Sequence, residues 1–266
     1  MSIACNALVL AGNRREGDSV AQMAGVSHKA IAAINGVPML LRLYRTLSAV
    51  PGIGAVHVCI DDAALLDHIP GLADARDAGR LRIIPPAESP AASLARSLDE
   101  IGLDLPLLVT TADHPLLSVA MVEHILGQAP ADCDLAVGLA DAAIVSAAYP
   151  GAIRTFYRFG KLRVSGCNLF LARTGRARDV ALFWRRMERH RKKPLRLIWE
   201  IGPLALFRVA LGNLGLEDAF AHVSRLARAR IRPVLLPFPE APIDVDKPAD
   251  FELVSEILRR RETAPQ

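Results

Sequence analysis

Five short apolar runs punctuate the first half of the chain: residues 6–11 (NALVLA), 55–60 (AVHVCI), 81–84 (LRII), 107–111 (LLVTT) and 135–139 (LAVGL). Each is closed by a polar, Gly or Pro signal. Runs apolar at successive positions suit strands covered on both faces, the environment of a mainly parallel sheet. Stretches of helical character separate them, at 38–50, briefly after Asp61, at 91–101 and at 118–129. Strand and helix alternating at this interval predict a doubly wound, Rossmann-like α/β sandwich of three layers.

The second half has a different texture. Residues 163–172 read as a turn and strand ending in NLFLA, followed by a long basic helix at 176–191 and a Leu-rich helical region at 195–227. The chain returns to a strand at 232–236, crosses a Pro-rich loop and ends in a helix after Pro248. The expected organisation is a single domain over 1–266 with a helical insertion at about 174–230.

Of the 266 residues, 52% are apolar and only 5% aromatic, so Leu, Ala, Val and Ile must fill the core. The formal charge of +4 is modest, and the basic residues are concentrated locally, which gives no argument for nucleic acid as a partner. Cys5, Cys59, Cys133 and Cys167 form no CxxC pair, so a disulfide framework or zinc site is not expected and a reducing compartment fits. Without a signal-peptide pattern or an apolar run near the ~20 residues of a bilayer span, the expected location is cytoplasmic.

Ligands of open α/β sheets bind beyond the carboxyl ends of the strands. After the first strand comes Leu10-Ala11-Gly12-Asn13-Arg14-Arg15, and Lys29 follows in Ser27-His28-Lys29-Ala30. A Gly after a buried strand lets backbone amides approach a phosphate, and Arg and Lys would offset its charge. An ordinary turn with solvated charges is the alternative for this segment. After the fourth predicted strand stands Asp113, fixed by Pro115, an acid suited to a hard metal such as Mg²⁺. Asp244 and Asp246, two apart, face one side if their segment is extended, and Asp250 reads as the cap or first turn of the last helix.

LVLAG with its Arg-bearing loop, HKA, GVPML, ADHPLL and IDVDKPADFELV, in that order, resemble the MobA-like NTP transferase family. RTFYRF, SGCNLF and RKKP segments are similar to those of a bacterial subgroup of it. The resemblance implies a glycosyltransferase-A type of nucleotide-binding fold and transfer of an NMP from an NTP, CTP or GTP, to a phosphorylated acceptor with release of pyrophosphate. Carried over by position, Leu10, Ala11, Gly12 and Asn13 become the nucleotide loop, with Arg14 or Arg15 its arginine and Lys29 the phosphate-contacting lysine. Asp113 becomes a ligand of Mg²⁺ or Mn²⁺, with Asp246 and its neighbour Asp244 on the second metal side. Ser93 lies where relatives contact base or ribose. The first loop departs from the family, which carries two glycines and then Arg-Met-Gly.

Arg154, Arg158, Arg163 and Asn168 fall where relatives place acceptor-binding segments, and the competing reading is an edge hairpin with exposed arginines. Cys167 is read as structural, because no neighbour in sequence would activate it. Residues 185–196 hold seven Lys or Arg and one acid, and 195–211 is Leu-rich, split at Gly202-Pro203. A solvated helix face, a lid, a homodimer surface and a platform on anionic membrane through 185–211 all remain open for this stretch. An acceptor of phospho-alcohol or lipid-precursor type follows from the last of these. Two other functions compete: a glycosyltransferase using a nucleotide-sugar, whose usual DxD is here the single acid of Ala112-Asp113-His114, and a non-catalytic nucleotide-binding protein.

Overall fold

A computed structural model describes residues 4–12, 17–102, 106–190 and 214–263. Strand β1 (Cys5–Leu10) lies inside an eight-stranded sheet between β4 (Ile53–Cys59) and β6 (Leu107–Thr111), both parallel to it. Beyond β4 lies β5 (Leu81–Ile84), also parallel. On the other side, β9 (Leu162–Ala172) runs antiparallel between β6 and β7 (Leu135–Asp141), with β10 (Ile231–Leu235) parallel to β7 at the edge. The short β8 (Tyr157–Phe159) forms a hairpin with β9. The α/β class and mainly parallel sheet expected from the pattern are what the chain adopts.

Alternation along the strands explains the three layers. In β1, Ala7 and Val9 face one side and Leu8 the other, all fully buried. The first face meets α2 (Met39–Ala49), α3 (Pro70–Asp77) and α5 (Val119–Gln128) through Leu40, Leu43, Leu72, Met121 and Ile125. The second meets α4 (Pro90–Ile101), α7 (Ala177–His190) and α8 (Leu216–Ala227) through Ala95, Leu98, Val180, Phe183 and Ala227. Residues 191–213 lie outside the described residues, and with them most of the Leu-rich stretch. Among the described residues no helix is long and apolar enough to cross a membrane.

Several small elements went unanticipated. The two-residue strands β2 (Ala33–Ile34) and β3 (Val37–Pro38) pair antiparallel around Asn35 and Gly36, both at positive φ, 50° and 76°. That is the backbone an Asn-Gly hairpin turn demands. Ahead of Lys29 lies the helix α1 (Ser19–Met23), capped by Asp18, and α6 (Ala142–Ala148) follows β7 directly. A third apolar cluster holds Val20, Ile34, Met39, Leu116, Ile243 and Val245 against Val254, Ile257 and Leu258 of α9 (Pro248–Thr263). It seats the hairpin and the chain's last loop together beneath the strand ends.

Candidate active site

The carboxyl ends of three strands are stitched together by backbone bonds. Ala11 N–H donates to the Cys59 carbonyl (2.8 Å), and Ala112 N–H donates to that of Leu10 (2.9 Å). Leu10, Ala11 and Gly12 thus stand directly beside the turn carrying Asp113. Among the described residues the nearest atom to a Cβ placed on Gly12 is that of Pro86 at 3.9 Å, ordinary contact distance, so protein packing does not demand glycine here. Asn13, Arg14 and Arg15 lie outside the described residues.

Lys29 opens a 3₁₀ turn, Lys29–Ile31, set by the residue before it. The buried His28 ring accepts the Ala30 N–H at Nδ1 (3.0 Å), which leaves Nε2 protonated to donate to Asp61 Oδ1 (3.2 Å). From that turn the Lys29 ammonium donates to Asp113 Oδ2 (2.7 Å), the Val245 carbonyl (3.0 Å) and Asp246 Oδ1 (3.1 Å). Burial lowers the lysine pKa, but Asp113 and then Asp246 outweigh it and hold the ammonium above its ordinary value. Thr111 Oγ1 donates to the other Asp113 oxygen at 2.6 Å.

The late acidic pair arrives by alternation. Ile243 and Val245 are fully buried, and Asp244 and Asp246 between and beyond them are not. Val245 N–H donates to the Asp113 carbonyl (2.8 Å), fixing the loop against the strand end. Asp246 therefore reaches Lys29, while Asp244 accepts from Arg154 and from Asn168 Nδ2 (2.9 Å). Burial first, then the neighbouring Asp113 and, more weakly, Asp246, push Asp244 up to about 6 against the pull of Arg154 and Asn168.

Asn168 owes its aim to a bulge. Between the pairs Val137–Phe170 and Leu139–Gly166, β7 has only Gly138 where β9 has Cys167, Asn168 and Leu169. Asn168 takes φ 48°, and a Cβ on Gly138 would lie 3.0 Å from the Leu169 carbonyl. Asp250 lies in the first turn of α9, accepting from the N–H groups of Asp246 (3.2 Å) and Lys247 (3.0 Å), and its other oxygen takes Arg154 (2.8 Å).

Other expected positions are engaged differently from the sequence reading. The Arg154 side chain is largely buried and bound to Asp244 and Asp250, bracing the acidic loop. Arg158 donates to Gly160 O (3.0 Å), and Arg163 lies 5.5 Å from the Phe156 ring centroid; both are exposed on the β8–β9 hairpin. Ser93 is buried, and its hydroxyl accepts Ala87 N–H (2.9 Å) in the loop after β5. Burial pushes His114 down to about 4 and keeps its ring neutral at pH 7. Cys167 is buried, its thiol pushed up by desolvation, as a structural cysteine should be. Thr111, His28 and Asp61 were missed. Thr111 stands two residues before Asp113, the spacing that puts neighbours of an extended chain on one side.

One ammonium reaches both Asp113 and Asp246, so a single small cation placed there would meet two hard carboxylate oxygens. Among the described residues no group of three or more His, Cys, Asp or Glu side chains has metal-holding geometry. Two carboxylates fit Mg²⁺, which usually takes one or two from protein and its remaining oxygens from phosphates and water.

The model of the MobA-like NTP transferase domain matches residues 7–186. No curated protein matches the chain. Its coordinates are similar to those of a hypothetical transferase from Thermus thermophilus at 27% identity and TM-score 0.78, covering 94% of this chain and 100% of that one. A CMP:2-keto-3-deoxy-manno-octonic acid synthetase complexed with CTP shares the fold at 16% identity (TM-score 0.60; 97% and 99% of the two chains). So does a 4-diphosphocytidyl-2C-methyl-D-erythritol synthase from Anaerococcus prevotii, at 11% identity (TM-score 0.57; 96% and 98%). The chain belongs to the MobA-like NTP transferase family and is a nucleotidyltransferase.

Proposed function

We propose that the enzyme moves the NMP of CTP or GTP onto a phosphorylated small-molecule or lipid-precursor acceptor, with Asp113 and Asp246 holding Mg²⁺ or Mn²⁺. The observation that carries this reading is the convergence of those two carboxylates on Lys29, beside the Leu10–Gly12 turn. An acceptor phosphate oxygen attacks the α-phosphorus, and the bond to the bridging oxygen breaks as pyrophosphate departs with the electron pair. The acceptor is already ionised at pH 7, so no general base is needed. A metal bound to the two aspartates supplies charge neutralisation at the phosphates. Lys29 adds its positive charge to the same phosphates, and the Leu10–Gly12 backbone seats them. Arg14 or Arg15 is proposed to add a further cation from the loop.

On the acceptor side, the exposed Arg158 and Arg163 are proposed to meet the acceptor phosphate, with Arg154 and Asn168 bracing Asp244 behind them. Support for a membrane-facing α7 is weaker, because Arg185 and Arg189 are both near Glu88.

Thermal-shift measurements with each of the four NTPs and Mg²⁺ test the reading. Binding at 100 times Kd adds about 2.7 kcal/mol to apparent stability. CTP or GTP should raise Tm well beyond the other nucleotides. No shift with any NTP at millimolar concentration would overturn the proposal.

A further inference from the structure

At the opposite end of the sheet from Asp113, where β7 and β10 begin, lies an open cleft of about 550 Å³ lined by Asp134, Arg176, Ser224, Arg225, Arg228 and Arg230. Three separate segments bring arginines to it. Arg225 belongs to the last turn of α8, and Arg228 caps that helix in the left-handed region at φ 56°. Arg230 immediately precedes β10, and Arg176 immediately precedes α7, where its guanidinium donates to the Arg228 carbonyl (3.2 Å).

The charges are poorly matched by the protein itself. Among the described residues Asp134 is the one carboxylate lining the cleft, and four arginines against it leave a formal charge of +3. Its oxygens are already occupied, by the Thr174 hydroxyl (2.7 Å) and by Arg230 N–H (2.7 Å), and the Arg230 guanidinium stands off at 3.6 Å. Among the described residues Arg176, Arg225 and Arg228 have no acidic partner there. The Ser224 hydroxyl is spent on the Ile231 backbone, accepting from its N–H (2.9 Å) and donating to its carbonyl (3.2 Å). Like charges held together cost free energy, and guanidinium forks match phosphate oxygens in pairs. Among the described residues the lining has no large apolar side chain to enter a lipid layer.

We infer that this cleft is a second binding site, distinct from the catalytic one, for a small soluble anion carrying linked phosphates of the pyrophosphate class. A single phosphate would leave both the volume and the charge under-used.

The test is calorimetric titration of inorganic pyrophosphate into the full chain in EDTA, for wild type, Arg225→Glu/Arg228→Glu, Arg225→Gln/Arg228→Gln and Lys29→Met. Circular dichroism checks that each remains folded; the two arginines are exposed, so it should. Both double variants should weaken binding by at least about tenfold, since each charge-assisted hydrogen bond is worth about 1.5–3 kcal/mol. Lys29→Met should leave this binding in place. Affinity unchanged in the double variants, or binding that depends only on Lys29, or none at millimolar pyrophosphate, would overturn the inference. A parallel sedimentation with phosphatidylcholine vesicles containing phosphatidic acid separates the phosphate sources. Arginine-dependent capture by vesicles without binding of pyrophosphate would also overturn it.

Discussion

The Lys29 ammonium stands 2.7 Å from the Asp113 carboxylate, although 84 residues separate the two in sequence. The same nitrogen reaches Asp246, another 133 positions further along, and the Val245 carbonyl between. Replacing it in Lys29→Met leaves two carboxylates facing one another without their cation. Turnover should fall by at least about a hundredfold, on the scale of lost oxyanion donors. Steady-state pyrophosphate release checks this, and the variant should still show cooperative unfolding.

Arg154 should behave as a structural brace. Its side chain is largely buried, and it bridges Asp244 and Asp250. Arg154→Met strands two partly buried carboxylates, which should cost about 3–5 kcal/mol in urea unfolding. Loss of activity at full stability would instead return Arg154 to the acceptor site.

Gly138 permits the β9 bulge that aims Asn168 at Asp244. A Cβ there would press on Leu236 Cδ1 at 2.9 Å and the Leu169 carbonyl at 3.0 Å. Gly138→Ala should lose about 1–3 kcal/mol in stability, the usual cost of overpacking. Asn168→Ala should spare the bulge, and comparing unfolding midpoints of the two separates steric from hydrogen-bonding effects.

Asp134 gives a pH signature. Burial raises its pKa, yet the Arg230 N–H, the Thr174 hydroxyl and the Arg230 side chain together hold it below its ordinary value of 3.8. A depressed carboxylate contributes stability above its unfolded pKa and loses it as pH falls through the folded one. Asp134→Asn should therefore be about 1–3 kcal/mol less stable at pH 7. The gap should close in acid, below 3.8. A gap independent of pH would show that the charge contributes nothing.

The strands and main helices were legible because doubly covered strands need near-continuous apolar runs and surface helices need a periodic face. Lys29, Asp113 and Asp246 were legible through motif order, and Ile243 and Val245 carried the alternation that turns both late aspartates away from the core. What escaped depends on contacts. Nothing local in Arg154 says that Asp244 and Asp250 will claim it from 90 and 96 positions away. Nor does anything beside Ser93 in sequence announce that its hydroxyl takes the Ala87 amide. The Asn35-Gly36 turn, by contrast, was written in the sequence as a hairpin signal and went unread.

The most direct measurement is calorimetric binding of CTP and GTP with and without Mg²⁺, for wild type, Asp113→Asn and Asp246→Asn. Mg²⁺ should tighten binding of one nucleotide to wild type by at least about tenfold, 1.4 kcal/mol, and that gain should vanish in both variants. The same gain in either variant would contradict a shared cation at these two carboxylates.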